Sequence, residues 1–140
     1  MKKEYILYYF DLSFKDKVDT NIFNEAKNHL FNLVVSYEDL NIEDLELRNF
    51  TKKYYEIHDF AERKLKRVED LTKSDYFKSL SLFKRLNLKR NLKSCRNLYS
   101  NFGKFDSMFY KTFGISLVKV IDSINCEEIE QNSSIKQDNF

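Results

Sequence analysis

Residues that interrupt helices are nearly absent from this chain. It contains no proline, and its only two glycines are Gly103 and Gly114. Proline breaks helix interiors, and glycine destabilises them by about 1 kcal/mol relative to alanine. The first 102 residues are therefore free to form long helices, whereas they lack the residues for the repeated tight turns of an all-β fold. The sequence predicts an all-α fold.

Length and composition set the size of this fold. A chain of 140 residues fits one domain, and 42% apolar with 16% aromatic residues is too much for a disordered chain. We expect a compact bundle of four to six helices within residues 1–124. Residues 125–140 are polar and acidic, so we expect them to be a frayed or disordered tail.

A regular apolar spacing marks the centre of the bundle. Apolar residues recur at steps of 3 or 4 between positions 47 and 71, which predicts a long helix over about 43–71. Asp19 or Thr20 can cap an earlier helix that runs to about Ser36. The apolar stripe of the long helix consists of Leu47, Phe50, Tyr54, Ile57, Ala61, Leu65, Val68 and Leu71.

The remaining segments are less regular. Residues 75–102 are expected to pack against the long helix, with a break near residue 87, where the apolar spacing blurs. Gly103 is placed to end this helix, and residues 105–113 form a short amphipathic helix that Gly114 ends. The aromatic segment 4–14 fits a helix or a short strand, and this alternative stays open.

Charge is sorted into blocks along the chain. Residues 1–62 carry 8 Lys and Arg against 13 Asp and Glu, residues 63–104 carry 13 against 3, and residues 105–140 carry 3 against 6. No acidic residue occurs between positions 76 and 105. Such a basic segment attracts an anionic partner, which can be nucleic acid, an acidic protein surface or the acidic ends of the chain itself.

Four basic residues concentrate this charge on one side of a helix. Arg85, Lys89, Lys93 and Arg96 follow one another at steps of 4, 4 and 3 and span about 16 Å. This length allows contacts with several phosphates, so we predict a nucleic-acid-binding face. The alternative is a solvated face whose charge the acidic residues 43–62 balance in an antiparallel helical hairpin.

One short segment adds two lysines to this prediction. Residues 105–116, with the sequence Phe-Asp-Ser-Met-Phe-Tyr-Lys-Thr-Phe-Gly-Ile-Ser, resemble the end of the second helix-turn-helix in AraC-type transcription regulators. That family often shows F-x-x-L-F-K-K-x-F-G-[IV]-S there. The resemblance covers 12 residues and lacks the family's preceding Gly-Phe pair and its following proline. It implies a recognition helix over 104–113 that presents Lys104, Ser107 and Lys111 to DNA.

Motifs for catalysis, metal binding or nucleotide binding are not found. With two glycines, the chain cannot form the glycine-rich phosphate-binding loops. His29 and His58 stand outside any metal-ligand motif, and Cys95 lies on an apolar stripe, where we expect a core residue rather than a nucleophile. We therefore expect no enzyme activity, no cofactor and no metal.

Targeting signals are also missing from the sequence. The apolar run at residues 5–10 is shorter than a signal-peptide core, and no stretch approaches the ~20 apolar residues that span a bilayer. We expect an intracellular, soluble protein with reduced cysteines and no membrane partner. The sequence favours a regulatory protein that binds nucleic acid, or alternatively a protein–protein adaptor or inhibitor that uses its acidic first 62 residues or its aromatic N-terminus.

Overall fold

Six α-helices make up most of the chain between residues 2 and 138, which the computed structural model describes, with side chains as far as residue 132. No strand occurs in this part of the chain, so the predicted all-α bundle is confirmed and segment 4–14 is a helix. The helices are α1 (Glu4–Phe14), α2 (Thr20–Ser36), α3 (Leu45–Lys73), α4 (Asp75–Ser79), α5 (Leu82–Phe113) and α6 (Leu117–Asp138).

Local hydrogen bonds explain several helix ends. The Asp19 carboxylate accepts from the backbone N–H of Ile22 at 3.0 Å, so the predicted cap of α2 is present. Ser81 starts α5 in the same way, because its hydroxyl oxygen accepts from the N–H of Lys84 at 3.4 Å. Gly114 ends α5 in the left-handed conformation with φ 73°, which glycine adopts without strain.

The long helix α3 is the centre of the bundle. Its 29 residues extend about 43 Å, and it packs against α2, α4, α5 and α6. The expected helix over 43–71 therefore exists with bounds shifted by two residues. Seven residues on its inner side are buried: Leu47, Phe50, Thr51, Tyr54, Ile57, Ala61 and Val68.

The prediction for the second long segment was wrong in two places. Helix α5 runs without interruption for 32 residues, and the break lies at Leu80 and Ser81 rather than near residue 87. The apolar residues Leu82 and Leu86 are exposed, so the blurred spacing marks an apolar surface instead of a break. Gly103 lies inside the helix between the buried Phe102 and Phe105, whose packing outweighs the unfavourable helix propensity of glycine.

The main core is rich in aromatic rings from four helices. Phe10 of α1 stacks on Phe23 of α2 with ring centroids 5.0 Å apart. It also contacts Phe50 of α3 and Phe105 of α5 edge-on, at 5.9 and 5.4 Å. This core takes its α3 residues from Leu47 to Ala61 and its α5 residues from Phe102 to Phe109. It therefore holds the first half of α3 against the second half of α5.

The other halves of α3 and α5 form a small core of their own. Val68 packs with Leu92 and Cys95, and the partly buried Leu65 and Leu88 complete this cluster. Every residue of the cluster comes from α3 or α5. We call residues 63–97, which include the end of α3, all of α4 and the first half of α5, the arm. The arm contains 12 Lys and Arg and only 3 Asp and Glu.

Helix α6 covers the opposite half of α3. Leu117, Val120 and Ile124 are buried in the main core, and Arg48 of α3 donates to the carboxylate of Glu127 through both terminal guanidinium nitrogens. The helix then continues to Asp138 without a proline or glycine that would interrupt it, and the frayed tail expected over 125–140 stays a prediction. Residues 139–140 of that tail lie outside the described residues, and the expected domain boundary at 124 stays a prediction.

The helices also bear on membrane insertion. None of those within residues 2–138 combines the length and the apolar character that a bilayer-crossing segment requires.

Candidate nucleic-acid interface

Three of the four predicted basic residues line one groove in the arm. Lys89, Lys93 and Arg96 project from α5 beside a groove of about 570 Å³ that the end of α3 and the short helix α4 complete. The groove is lined by Thr72, Phe77, Lys89, Leu92, Lys93, Arg96 and Asn97. The structure thus brings together positive charge, hydrogen-bonding side chains and an apolar base, which is the combination that contacts phosphate and nucleobase surfaces.

Lysine side chains dominate the solvent-facing rim of this groove. The Lys89 ammonium lies 5.8 Å from the centroid of the Phe77 ring, which is within the range of a cation–π contact. Lys89 and Lys93 are both exposed. Neither forms an ion pair with a described side chain, so their charge is available to an anionic partner.

Arg85, the first residue of the predicted face, has a different role. Its Nε donates to the carbonyl of Phe77 at 3.2 Å, and its Nη2 donates to the carbonyl of Lys78. The guanidinium also lies 5.7 Å from the Phe77 ring centroid. Arg85 therefore satisfies the carbonyl groups at the C-terminal end of α4, where a positive charge is also favourable for the helix dipole. It holds α4 against α5.

Arg96 is only loosely engaged within the chain. Its Nε lies 3.5 Å from the Glu69 carboxylate of α3, and 59% of the Arg96 side chain is exposed. An ion pair with this exposure contributes little, because solvent screens it. Replacing the Arg96–Glu69 contact by a contact between Arg96 and a phosphate therefore has a small energetic cost.

The acidic residues Glu46 and Glu56 of α3 pair with residues outside the basic face. Glu46 accepts from His29 of α2 at 2.7 Å, and Lys53 lies 2.9 Å from Glu25 and 3.7 Å from Glu56. The hydrogen bond with Glu25 is the main cause that raises the pKa of Lys53. Between residues 43–62 and the basic face of α5, the described side chains form no ion pair. The structure therefore does not show these acidic residues balancing the charge of the basic face.

Lys104 and Lys111 lie on α5 outside the arm. Both are exposed, but α5 continues without a turn from the segment before Gly103 to Phe113. The helix-turn-helix that the resemblance to AraC-type regulators implies is therefore wrong for this chain, because its recognition helix would need a turn near residue 103. These two lysines do not join the groove.

A second basic surface lies on α3 and was missed by sequence reasoning. Arg63, Lys66 and Arg67 line an open depression of about 470 Å³ together with Asp70, Leu71 and Ser74. They lie in the second half of a helix that begins with acidic residues, an order that is favourable for the helix dipole. The charge block over 63–104 already contained them, and this was the signal that they belong to the arm surface.

A cleft of about 410 Å³ lies at the base of the arm. Asn91, Asn97 and Asn101 of α5 line it with Lys64 of α3 and the buried Cys95. No histidine or carboxylate occurs among its described lining residues. Cys95 is buried and packs with Val68 and Leu92, so the expected role as a core residue fits this geometry.

His58 has more neighbours than its sequence position suggests. Its Nδ1 lies 3.6 Å from Asp59 and 3.9 Å from Glu62, and one ligand atom of each residue lies within 4.8 Å of the others. Among the described residues, these three side chains form a group whose ligand atoms are close enough to hold a metal ion. Both carboxylates are exposed and adjacent on one helix, which is also an ordinary arrangement around a histidine. The prediction of no metal stays a prediction.

Comparisons with known proteins do not assign a function to these surfaces. No protein-family model matches the chain, and no curated protein or solved structure matches it.

Proposed function

We propose that this chain is a non-enzymatic nucleic-acid-binding protein and that the arm is its binding element. The observation that supports this proposal is the groove in which Lys89, Lys93 and Arg96 line one wall, with no acidic residue between positions 76 and 105. A phosphate backbone is a linear array of negative charges, and a straight row of cations on a helix matches it.

The groove offers different contacts at different depths. Lys89 and Lys93 at the rim suit phosphate oxygens, because ammonium groups contact them without a fixed geometry. Arg96 can exchange its weak contact with Glu69 for a charge-assisted pair with phosphate. Thr72 and Asn97 supply hydrogen bonds to sugar or base edges. Three cations that neutralise three phosphates predict that log K falls with log salt at a slope of about −2 to −3.

The basic surface on α3 extends the positive field of the arm. Arg63, Lys66 and Arg67 are exposed, and the two basic surfaces belong to adjacent helices of the same arm. Their contribution is to raise the association rate by long-range attraction, which declines as salt is added.

A charge-reversal experiment tests the proposal. The variant Lys89→Glu/Lys93→Glu/Arg96→Glu is expected to lose binding to fluorescein-labelled DNA and RNA oligonucleotides in an anisotropy titration at low salt, with its helical circular dichroism retained. The matched control is Lys104→Glu/Lys111→Glu/Lys119→Glu, which changes the net charge equally at exposed sites outside the arm. Equal loss in both triple variants, or no binding by the unmodified protein, contradicts the proposal.

A second candidate function is a protein–protein adaptor, and one observation on α1 favours it. Tyr5, Tyr8 and Leu12 are exposed apolar side chains at helical spacing, with Tyr8 62% exposed. Aromatic residues of this kind are typical anchors at protein interfaces. This function would be supported, instead of nucleic-acid binding, by a protein partner that the chain captures equally well after nuclease treatment. The Tyr8→Glu variant should no longer capture that partner.

A further inference from the structure

The tip of the arm carries an exposed apolar surface that the fold itself does not use. Leu82 is 74% exposed and Phe83 is 71% exposed at the start of α5, and Tyr76 of α4 is 59% exposed. Leu86, one turn further along α5, is also exposed. We call Tyr76, Leu82, Phe83 and Leu86 the apolar tip. Leu82, Phe83 and Leu86 are neighbours on the helix surface, and contiguous exposed apolar residues mark interaction sites.

The three α5 residues of the apolar tip lie on the same side of α5 as the basic residues. At 100° per residue, Leu82, Phe83 and Leu86 fall within about 120° of Lys89, Arg90 and Lys93 around the helix. All six side chains are exposed, whereas Leu88, Leu92 and Cys95 lie on the inner side. A ligand that lies along this side of α5 meets aromatic and apolar groups first and cations afterwards, over about 15 Å from Phe83 to Lys93.

Contacts within the arm hold this surface in place. Arg85 bonds to the carbonyls of Phe77 and Lys78, so the end of α4 is fixed against the first turns of α5. The ring of Phe77 lies under the cations of Arg85 and Lys89. The Tyr76 and Phe83 rings are exposed. The tip is thus an arrangement of rings on a helical support rather than on a loop.

We infer that the apolar tip stacks on unpaired nucleobases and that the arm selects single-stranded over double-stranded nucleic acid. This inference rests on the proposed function. Duplex nucleic acid offers its phosphates but keeps its base faces stacked inside, so an exposed phenyl ring gains little from it. A single strand offers both phosphates for Lys89 and Lys93 and base faces for Phe83 and Tyr76. The positive charge around the tip is the complement that an anionic single strand requires.

Matched oligonucleotides test the inference. A labelled 20-nucleotide single strand and the duplex of the same sequence are titrated at one salt concentration with the unmodified protein, Phe83→Ala and Tyr76→Ala. Each alanine variant is expected to weaken single-strand binding by at least about five-fold, since each lost stack contributes on the order of 1–3 kcal/mol, while duplex binding stays unchanged. Tyr110→Ala is the control, because Tyr110 is a 58% exposed aromatic residue on α5 outside the arm.

The outcomes separate this inference from the proposed function. If the duplex binds as tightly as the single strand, and Phe83→Ala and Tyr76→Ala have no effect, the inference is overturned. The proposed function is then still supported. No binding of either oligonucleotide overturns both. Cosedimentation with vesicles of anionic phospholipid that depends on Phe83, in a protein that does not bind the single strand, assigns the tip to a lipid surface instead. Because Phe83 and Tyr76 are exposed, loss of folding is not expected in their variants, and circular dichroism melting verifies this.

Discussion

The hydroxyl of Tyr54 on α3 donates to the carboxylate of Asp106 on α5 at 2.6 Å. The same hydroxyl oxygen lies 3.0 Å from the carbonyl of Phe102, and only 1% of Tyr54 is exposed. This polar contact lies inside the aromatic core, nine residues before the arm begins on α3 and nine residues after the arm ends on α5. It fixes the two long helices relative to each other, and this alignment continues into the arm, because the arm consists of parts of the same helices.

Removal of the Tyr54 hydroxyl is expected to destabilise the protein. In Tyr54→Phe, the partly buried Asp106 carboxylate loses its donor while the ring packing stays, so the free energy of unfolding should fall by about 1–3 kcal/mol. Urea denaturation followed by circular dichroism measures this. Tyr110→Phe removes an exposed hydroxyl and should change the value by less than about 0.5 kcal/mol. Equal effects of the two changes would contradict the role assigned to the Tyr54–Asp106 contact.

The burial of Asp106 predicts a dependence of stability on pH. Burial raises the pKa of Asp106 above its ordinary value of 3.8, and the hydrogen bond from Tyr54 and the charge of His58 oppose this only in part. Because the folded protein binds the proton more tightly than the unfolded chain, the contribution of Asp106 to stability is largest at low pH. It declines as the pH rises from the ordinary value through the raised one, and is then constant.

The variant Asp106→Asn isolates this contribution, since asparagine does not titrate and its side-chain carbonyl can still accept from Tyr54. The difference in unfolding free energy, unmodified protein minus variant, should decrease as the pH rises from about 3 through the raised pKa. Asp122→Asn, at an exposed carboxyl on α6, controls for the loss of one negative charge. A difference that increases with pH over this range would refute the assignment.

The sequence predicted the elements that depend on apolar spacing and caps, and it failed where packing decides. The stripe of α3 and the Asp19 cap of α2 are local patterns, so both were visible in the sequence. The blurred spacing around Leu82 and Leu86 was interpreted as a helix break near residue 87, because apolar residues alone do not show which side faces solvent. Gly103 was interpreted as a helix end, although Phe102 and Phe105 hold it inside α5.

In the candidate site too, local patterns were predictable from the sequence and contacts between helices were not. The spacing of Lys89, Lys93 and Arg96 placed them correctly on one side of α5, because a helix of known period determines that side. The engagement of Arg85 with α4 was not predictable, since it depends on how the chain turns at Leu80. The packing of α3 against α5 was predicted, whereas the joint surface of Arg63, Lys66 and Arg67 depends on how α3 lies in the folded chain.

The small core of the arm is expected to unfold more easily than the main core. Leu92→Ala creates a cavity next to Val68 and Cys95, and a buried leucine truncated in this way costs about 2–5 kcal/mol when its surroundings do not collapse. Hydrogen exchange followed by mass spectrometry should show faster exchange over residues 65–97, with a smaller change over 47–61. Leu86→Ala, at an exposed position on the same helix, is the matched control. An equal acceleration in both regions would show that the arm and the main core unfold together.

Arg85 is expected to stabilise α4 rather than to bind a phosphate. In Arg85→Gln, the carbonyls of Phe77 and Lys78 lose a charged donor, so the five-residue helix α4 should open more often. Backbone amides over residues 77–80 should exchange faster, while the global unfolding free energy changes by less than about 1 kcal/mol. Lys84→Gln removes a neighbouring exposed charge and is not expected to affect exchange in α4. Because the change at Arg85 leaves Lys89 and Lys93 in place, the salt dependence of oligonucleotide binding should keep its slope. A slope reduced by about 0.7–0.9 would instead place Arg85 among the phosphate contacts.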